Sequence, residues 1–489
     1  MNVTDSIIVI AGILFLAGAF SNKLSARFNL PTLLLFLAAG VCAEAVLPFH
    51  GENYAPQINF FGVIAMSFIL FSGGSETPFN TVKDVAFRGL LLAMPGVLMT
   101  ALLTGIAAYI ILPGDHSFAW CLLLGSLISS TDAAAVFAIL RGKGVGLKGN
   151  LKSLLELESG SNDPTAAFLT LTMISFVLGE PDGVFLKIPL AVYQLGGGIL
   201  AGWGAGILGR KLFQIKLEYE GLYFVVSVAW VLLCYGATQM LGGNGFMACY
   251  VCGMVLYSGR FNYQKALGKF HNGIAWLMQV GLFTVLGFLA SPQDLFNAAV
   301  WLPGIVLGLF LMFVARPAAV FLCLAGSDYS LREKLLVSWV GIRGAAPIVL
   351  ATFPLAAGVE DAALMFRLIF FMVILSVILQ GWLLMPVAKF LKVAKNAKAV
   401  HAPAPLELEI THASANQEMR EYHIAEDHPF AGKTLAEIAL PSGALVTMIR
   451  RGKSFIPPRG NTKIAAGDGM LIIAEISQLE EIEKNHFRQ

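Results

Sequence analysis

Of 489 residues, 57% are apolar and only 13% charged, with a mean hydropathy of +0.73; an ordinary soluble protein runs at about 45–50% and about 25%. These figures exclude a disordered chain, a collagenous chain and a string of ordinary soluble domains. The net charge of +2 leaves no basic field for nucleic acid, and residues 391–489 hold 24 of the 64 charged side chains. The first part reads as membrane and the last as a small water-soluble domain.

The first apolar run, residues 6–20, ends in Ala17-Gly18-Ala19, which mimics a signal-peptidase site. Asp5 precedes it, however, and the first lysine, Lys23, follows it. A signal peptide has the opposite polarity, so a retained first transmembrane helix is expected. A spanning helix needs about 20 mostly apolar residues. Thirteen candidate spans follow: 6–21, 30–46, 58–74, 89–112, 118–140, 153–178, 188–208, 221–241, 245–257, 273–290, 299–325, 335–357 and 367–391.

Connections after odd-numbered spans carry 17 Lys or Arg residues, from Lys23 to Arg316, Arg332 and Lys334; those after even-numbered spans carry only Lys187 and Arg367. Positive residues stay on the cytoplasmic side, so the N-terminus is expected outside and the C-terminal domain in the cytoplasm. Spans 4 and 11 share a Pro-Gly pair, Pro95-Gly96 and Pro303-Gly304, an offset of 208 residues. The two spans run in opposite directions by the charge rule, so an inverted repeat is expected, with discontinuous helices at spans 5 and 12.

Ionisable groups inside a span cost several kcal/mol and mark function by default. Span 5 carries Ser129-Ser130-Thr131-Asp132, with Thr131 and Asp132 among residues small enough to let the backbone unwind. Carbonyls freed there can face a bare cation. An Asp that merely satisfies half-helix ends is the bland reading of Asp132. Span 6 carries Glu156 and then Glu158-Ser159-Gly160-Ser161-Asn162-Asp163-Pro164. Ser159 and Asp163 share one helical face, and Glu158 and Asn162 the adjacent one. A desolvated carboxylate beside hydroxyl oxygens suits a small hard cation, and the same carboxylate can bind a proton instead. One group that takes either ion, never both, is the minimum machinery of exchange. Span 12 supplies Arg343 between glycines. Buried acids and a buried arginine demand pairing, so Arg343 is expected on Glu158, with Asn162 completing the hydrogen bonds and Asp163 left free.

The Thr131-Asp132 interruption, the Glu158-Ser159-x-x-Asn162-Asp163-Pro164 run and Gly341-x-Arg343-Gly344 together resemble the monovalent cation/proton antiporter superfamily, in its sodium/proton exchanger (NhaP-like) branch. The resemblance covers roughly residues 5–392. It implies a thirteen-helix fold in which a six-helix core (spans 4–6 and 11–13) moves against a dimerisation domain, so a homodimer in lipid is expected. It also implies that Thr131, Asp132, Ser159 and Asp163 bind the ion, with the cation held at Asp132 and Asp163, and that Glu158, Asn162 and Arg343 hold the core together. Glu76, in Gly73-Gly74-Ser75-Glu76-Thr77-Pro78, resembles a family segment after span 3 and is expected to act as a structural cap.

Other signals carry less. Gly144-x-Gly146-x-x-Gly149 matches a dinucleotide fingerprint, but it joins two spans with no strand before it, so a flexible cytoplasmic loop is expected. Cys249 and Cys252 form a CxxC with no second pair nearby and read as small residues on a packed helix face. Gly198, Gly202 and Gly206 give small-xxx-small spacing, read first as close helix packing and second as a dimer contact. The eight histidines show no metal spacing.

Ala394–Ala404 is rich in Ala, Lys and Pro and reads as a linker. Beyond it, Leu445–Ile449 and Gly469–Ala474 read as strands, Phe455–Asn461 and Ala466–Gly469 as turns, and Lys433–Ala439 as a short helix. This order resembles the C-terminal ligand-binding subdomain of potassium-conductance regulators (TrkA-C type), over about residues 405–485. No companion Rossmann half is present, which leaves a small regulatory or dimerising module with a small ligand of unspecified chemistry. The expectation is therefore a polytopic α-helical membrane protein with a small α+β cytoplasmic domain, divided into 1–392, a linker 393–404 and 405–489. It is not an enzyme and carries no cofactor. It exchanges a monovalent cation for H⁺ across the bacterial inner membrane. Potassium is favoured by the tail, with sodium close behind, and the exchange is electroneutral because Asn162, an amide, cannot carry a second proton. The rival is a regulated potassium channel, which would need a carbonyl filter that does not appear.

Overall fold

The computed structural model describes residues 9, 12–13, 16, 32–46, 55–77, 83–142, 145–179, 184–289, 297–344, 346–396, 417–424, 428–438, 440–452, 454–483 and 487. They belong to two compact units, one of Met1–Gly259 and Ala266–Ala399, the other of Arg260–Lys265 and Val400–Gln489. The helix expected at 6–21 lies outside the described residues apart from four positions.

The first unit is helical: α1 Thr32–Val46, α2 Ala55–Glu76, α3 Ala86–Ile111, α4 Phe118–Leu127, α5 Ala133–Gly142, α6 Leu151–Val177, α7 Val184–Leu212, α8 Gly221–Met240, α9 Gly245–Tyr257, α10 Gln264–Leu289, α11 Ala298–Cys323, α12 Leu331–Trp339, α13 Ala346–Ala356 and α14 Ala362–Phe390. Six of these, α2, α3, α8, α10, α11 and α14, are long and apolar enough to cross a membrane by length and composition. Polar caps set several starts. Ser117 accepts from the Trp120 amide, Asn244 from the Met247 amide, and Ser330 forms a reciprocal box with Glu333. Pro95 sits in a single π-turn, Leu92–Gly96, that loosens α3, and α11 carries a π-turn of its own at Leu311–Ala315.

Helices beginning at Ala86, Phe118, Ala133 and Leu151 recur as helices beginning at Ala298, Leu331, Ala346 and Ala362, offsets of 212, 213, 213 and 211 residues. The offset of 208 suggested by the two Pro-Gly pairs is thus four residues short. Pro303 lies in the first half of α11, before its π-turn, whereas Pro95 lies inside that of α3. At the offset of 213 that holds on both sides of the breaks, Ser130 corresponds to Arg343 and Thr131 to Gly344.

Gly198, Gly202 and Gly206 face α9 within the same chain. A Cβ on them would run into Asn244, Ala248 and Val255 respectively. Close intrachain packing is therefore what the small-xxx-small spacing provides, and the dimer contact is not where these glycines are spent. The loop after α5 is not wholly irregular either. Val145–Leu147 (β1) pairs antiparallel with Ala394–Asn396 (β2), Val145 opposite Asn396 and Leu147 opposite Ala394, and the Lys148 amide donates to the Val393 carbonyl at 3.0 Å. The first residues of the expected linker are therefore a strand in the membrane unit, because the loop supplies an unpaired edge beside the end of α14. Residues 397–416 lie outside the described residues.

The tail is a four-stranded antiparallel sheet in the order β3-β6-β4-β5, with β3 Gln417–His423, β4 Leu445–Arg451, β5 Ser454–Ile456 and β6 Gly469–Glu475. Central β6, Gly-Met-Leu-Ile-Ile-Ala, is buried along almost its whole length, and its residues join Ile449, Phe430 and Leu479 in a core separate from that of the membrane unit. The helix expected at Lys433–Ala439 is one 3₁₀ turn, Leu435–Glu437, opened by a Thr434/Glu437 capping box. Pairing of Thr434 with Lys463 draws the chain away before a full helix forms.

Candidate functional site

Between α4 and α5 the chain leaves the helix through Ser129–Asp132, and between α12 and α13 it does so through Gly341–Gly344, where the Ile342 amide turns back onto the Val340 carbonyl at 2.7 Å. The two breaks meet: the Asp132 amide donates to the Ile342 carbonyl at 2.7 Å. Gly344 permits this approach, because a Cβ there would collide with the Asp132 carboxylate.

Each break frees carbonyls that, inside a membrane, must be satisfied by protein. Arg343 Nη1 donates to the carbonyls of Ile128 (2.7 Å) and Ser130 (2.6 Å). Ser159 Oγ donates to the Thr131 carbonyl (3.0 Å) and accepts from the Ala133 amide (2.9 Å). Asn162 Nδ2 donates to Thr131 Oγ1 at 2.6 Å. On the other break, Arg316 Nη2 donates to the Val337 carbonyl (3.3 Å) and Gln380 Nε2 to that of Trp339 (2.9 Å). The Arg343 amide donates to Ser376 Oγ, itself a donor to Gln380 Oε1. A guanidinium therefore caps the C-terminal end of each first half-helix, α4 and α12, where the backbone dipole is negative.

The expected Glu158–Arg343 pair is not the one formed. Glu158 pairs with Arg316 at 2.5 Å, both side chains buried at 1% and 4% exposure. Arg343, at 1% exposure, spends its Nη1 on carbonyls instead. The physical reason is that a freed carbonyl cluster attracts the Arg343 guanidinium, while Arg316, directly after the π-turn of α11, supplies the charge that pairs with the carboxylate. Asn162 likewise binds Thr131 rather than completing the Glu158 pair. In the charge rule Arg316 reads as a loop residue, although it lies within the apolar run 299–325. That position was the signal for it, and Ser376 and Gln380, four residues apart in the last apolar run, were the signal for the second break.

Asp163 lies one helical turn beyond Ser159, and its Oδ1 makes no hydrogen bond. Thr131, Asp132, Ser159 and Asp163 line one cavity of about 230 Å³. Its other wall carries Tyr250 and Glu76, and Glu76 accepts from Asn272 Nδ2 at 2.7 Å. Gly160 lets the Tyr250 ring lie against α6, since a Cβ there would overlap the ring. Glu76 thus ends α2 and also faces the cavity. Glu156, another lining residue, pairs with Lys152 at 3.5 Å. The four residues expected to bind the ion line this one cavity, whereas Glu158, Asn162 and Arg343 are not part of its lining. A carboxylate with an uncommitted oxygen in such a space can hold a small cation or a proton.

Among the described residues no group of three or more His, Cys, Asp or Glu is placed to hold a metal ion. Cys249 and Cys252 are buried thiols on α9, and Cys249 Sγ faces the Val231 carbonyl at 3.7 Å. In the tail, Arg451 makes a two-pronged pair with Asp468, at 2.8 Å on each carboxylate oxygen, and the Ala465 amide adds a third bond. Burial pushes the Asp468 carboxyl up, but these bonds outweigh it and hold it below the usual carboxylate range.

The transmembrane sodium/hydrogen exchanger family matches residues 11–390, and the TrkA-C domain matches residues 419–486. The chain is 34% identical to the K(+)/H(+) antiporter NhaP2 of Shewanella sp. (strain ANA-3), covering 99% of this chain and 84% of that protein. It is 35% identical to the K(+)/H(+) antiporter NhaP of Alkalimonas amylolytica over 99% of this chain and 83% of that protein. Na(+)/H(+) antiporter 1 of Methanocaldococcus jannaschii is 27% identical over 70% of this chain and 81% of its own length. The solved structure of the sodium proton antiporter MjNhaP1 from that organism, at pH 8, superposes with a TM-score of 0.67, covering 78% of this chain and 100% of that one at 22% identity. That likeness concerns the fold.

Proposed function

Because the chain belongs to the sodium/hydrogen exchanger family, we propose that it exchanges K⁺ for H⁺ across the bacterial inner membrane, using Asp163 as the shared carrier. The observation that carries this reading is the uncommitted Asp163 oxygen in a cavity walled by Thr131, Asp132 and Ser159. When a cation occupies the carboxylate no proton can, and the reverse, so each transit carries one or the other. Asp132 adds a second carboxylate to the cation position. Glu158 is neutralised by Arg316, and Asn162 is an amide, so one proton exchanges for one cation and no net charge moves.

The two crossed breaks form a rigid centre on which α3–α6 and α11–α14 move as a core against α2 and α7–α10, in a thirteen-helix homodimer. The N-terminus lies outside and the tail in the cytoplasm, as the loop charges support. Potassium is preferred on the strength of the two relatives named for K⁺ and of the tail. The archaeal relative, named for Na⁺ and similar over the membrane part, favours sodium as the second reading.

Proteoliposomes holding an interior pH dye test the reading. An inward K⁺ gradient should drive alkalinisation of the lumen, and Na⁺ should do so less well. A K⁺ current without proton movement would overturn antiport; a response to Na⁺ alone would overturn the potassium preference.

A further inference from the structure

Four hydroxyls belong to the first break and its support, and three of them are spent on protein. Ser129 Oγ donates to the Ser126 carbonyl at 2.7 Å. Thr131 Oγ1 accepts from Asn162, and Ser159 Oγ both donates and accepts. Ser130 is the exception. It is fully buried, it lines the cavity, and its Oγ makes no hydrogen bond. Ser130 and Asp163 line the same cavity, and neither Ser130 Oγ nor Asp163 Oδ1 makes a hydrogen bond. Leaving a buried hydroxyl unpaired costs about 1–3 kcal/mol, so a fold that does so at this spot gains something when another species is present.

The position of Ser130 is fixed rather than incidental. Its carbonyl is held by Arg343 Nη1 at 2.6 Å, and the neighbouring Thr131 is pinned by Ser159 and Asn162. The hydroxyl is therefore presented to the cavity by a backbone that cannot readily turn it away. Among the described residues, the other cavity hydroxyl without a hydrogen bond is that of Tyr250, on α9.

We propose that the Ser130 hydroxyl is a further ligand of the transported cation and sets its preference for potassium over smaller ions. The inference rests on the reading that Asp163 carries the cation. Carboxylates alone present a high field that favours a small ion. A neutral oxygen of low field strength added beside them favours a larger, weakly hydrated one. Ser130 is the neutral side-chain oxygen of the break left over for this once the helix ends have been satisfied. When Asp163 is protonated instead, the same Oγ can accept its proton in a hydrogen bond, so the hydroxyl has a partner in both loaded states.

The test measures half-saturating concentrations of K⁺, Na⁺ and Tl⁺ for cation/proton exchange in proteoliposomes of the full chain. Ser130→Ala should raise the K⁺ value about tenfold, the change expected for one neutral oxygen contact, and raise the Na⁺ value less. Ser130→Thr, which keeps the hydroxyl, should stay near wild type, and so should Ser129→Ala, whose hydroxyl serves only its own helix. Ser130→Cys should weaken K⁺ but spare Tl⁺, because a thiol is a poor ligand for a hard ion and a good one for a soft ion. The near-isosteric Cys variant decides the matter if the alanine variant does not fold. An unchanged K⁺/Na⁺ ratio in Ser130→Ala, or equal loss of K⁺ and Tl⁺ in Ser130→Cys, would overturn the assignment. A wild type that moved only Na⁺ would refute the potassium reading separately, and Ser130 would then stand or fall on whether its alanine variant weakens Na⁺.

Discussion

Removing one partner of the Arg316–Glu158 pair should be among the most damaging single changes in the membrane unit. Both side chains are almost wholly buried and pair at 2.5 Å, so Arg316→Gln leaves Glu158 as an uncompensated charge in a low dielectric. Breaking a buried pair in this way costs about 3–5 kcal/mol, whereas replacing both partners together costs far less. Arg316→Gln and Glu158→Gln should each destabilise by about that amount, and the double variant should recover at least half of the summed loss. The same cycle with Arg343 should show a coupling less than about half as large, because Arg343 serves the carbonyls of Ile128 and Ser130 rather than the carboxylate. Reversible unfolding of the purified protein in mixed micelles of increasing denaturing-detergent fraction measures all of these variants on one scale. A larger coupling for Glu158 with Arg343 than with Arg316 would refute the pairing.

Asp163→Asn keeps the shape but removes the exchangeable charge, so exchange should fall to background while size-exclusion behaviour stays that of wild type; full exchange in that variant would sink the assignment. A chain ended after residue 399 keeps the Val145–Leu147/Ala394–Asn396 pairing and should exchange ions with unchanged selectivity. Ending it after Lys392 strips the partner strand from the loop joining α5 and α6, and should slow exchange severalfold without switching the preferred cation; equal rates for the two truncations would dismiss the strand. In the tail, the depressed Asp468 carboxyl stabilises the fold above its unfolded value of about 3.9, and that contribution is lost as pH falls through the folded value. Asp468→Asn should therefore destabilise the tail by about 2 kcal/mol near neutral pH and flatten its acid sensitivity, as read by limited proteolysis of the full chain between pH 3 and pH 7. Clamping the membrane potential should leave the exchange rate and end point unchanged, because each uncompensated charge would otherwise add about 2.3 kcal/mol per 100 mV; steady transport current would mean that a second group carries a proton.

What could be read from the residues was the chemistry that membranes make expensive. Asp132, Glu158, Asp163 and Arg343 stood out because a charge inside an apolar run needs a reason. The helix spacing of Ser159 and Asp163 then put both on one face, and the structure gathers both at one cavity. Which charge met which was not legible, because pairing across helices depends on where freed carbonyls lie, and no carbonyl is visible in a sequence. Arg316 was missed for a related reason: a cation near a Pro looks like a loop residue until α11 is seen to continue through it to Cys323. The repeat offset was misjudged because proline and glycine pairs mark loosened turns, and the two repeats place them differently relative to their π-turns. The pairing of β1 with β2 was hidden by composition, since three residues of each strand carry no period long enough to detect.

Proton release on cation binding is the most direct measure of whether one carboxylate serves both ions. Purified protein in weakly buffered detergent solution with a pH dye, held where Asp163 is protonated, should release about one proton per K⁺ bound, because binding of one ligand must displace the other when they share a site. Asp163→Asn should release none. Saturating K⁺ binding to the wild type with no proton release, or undiminished release from Asp163→Asn, would contradict the shared carrier.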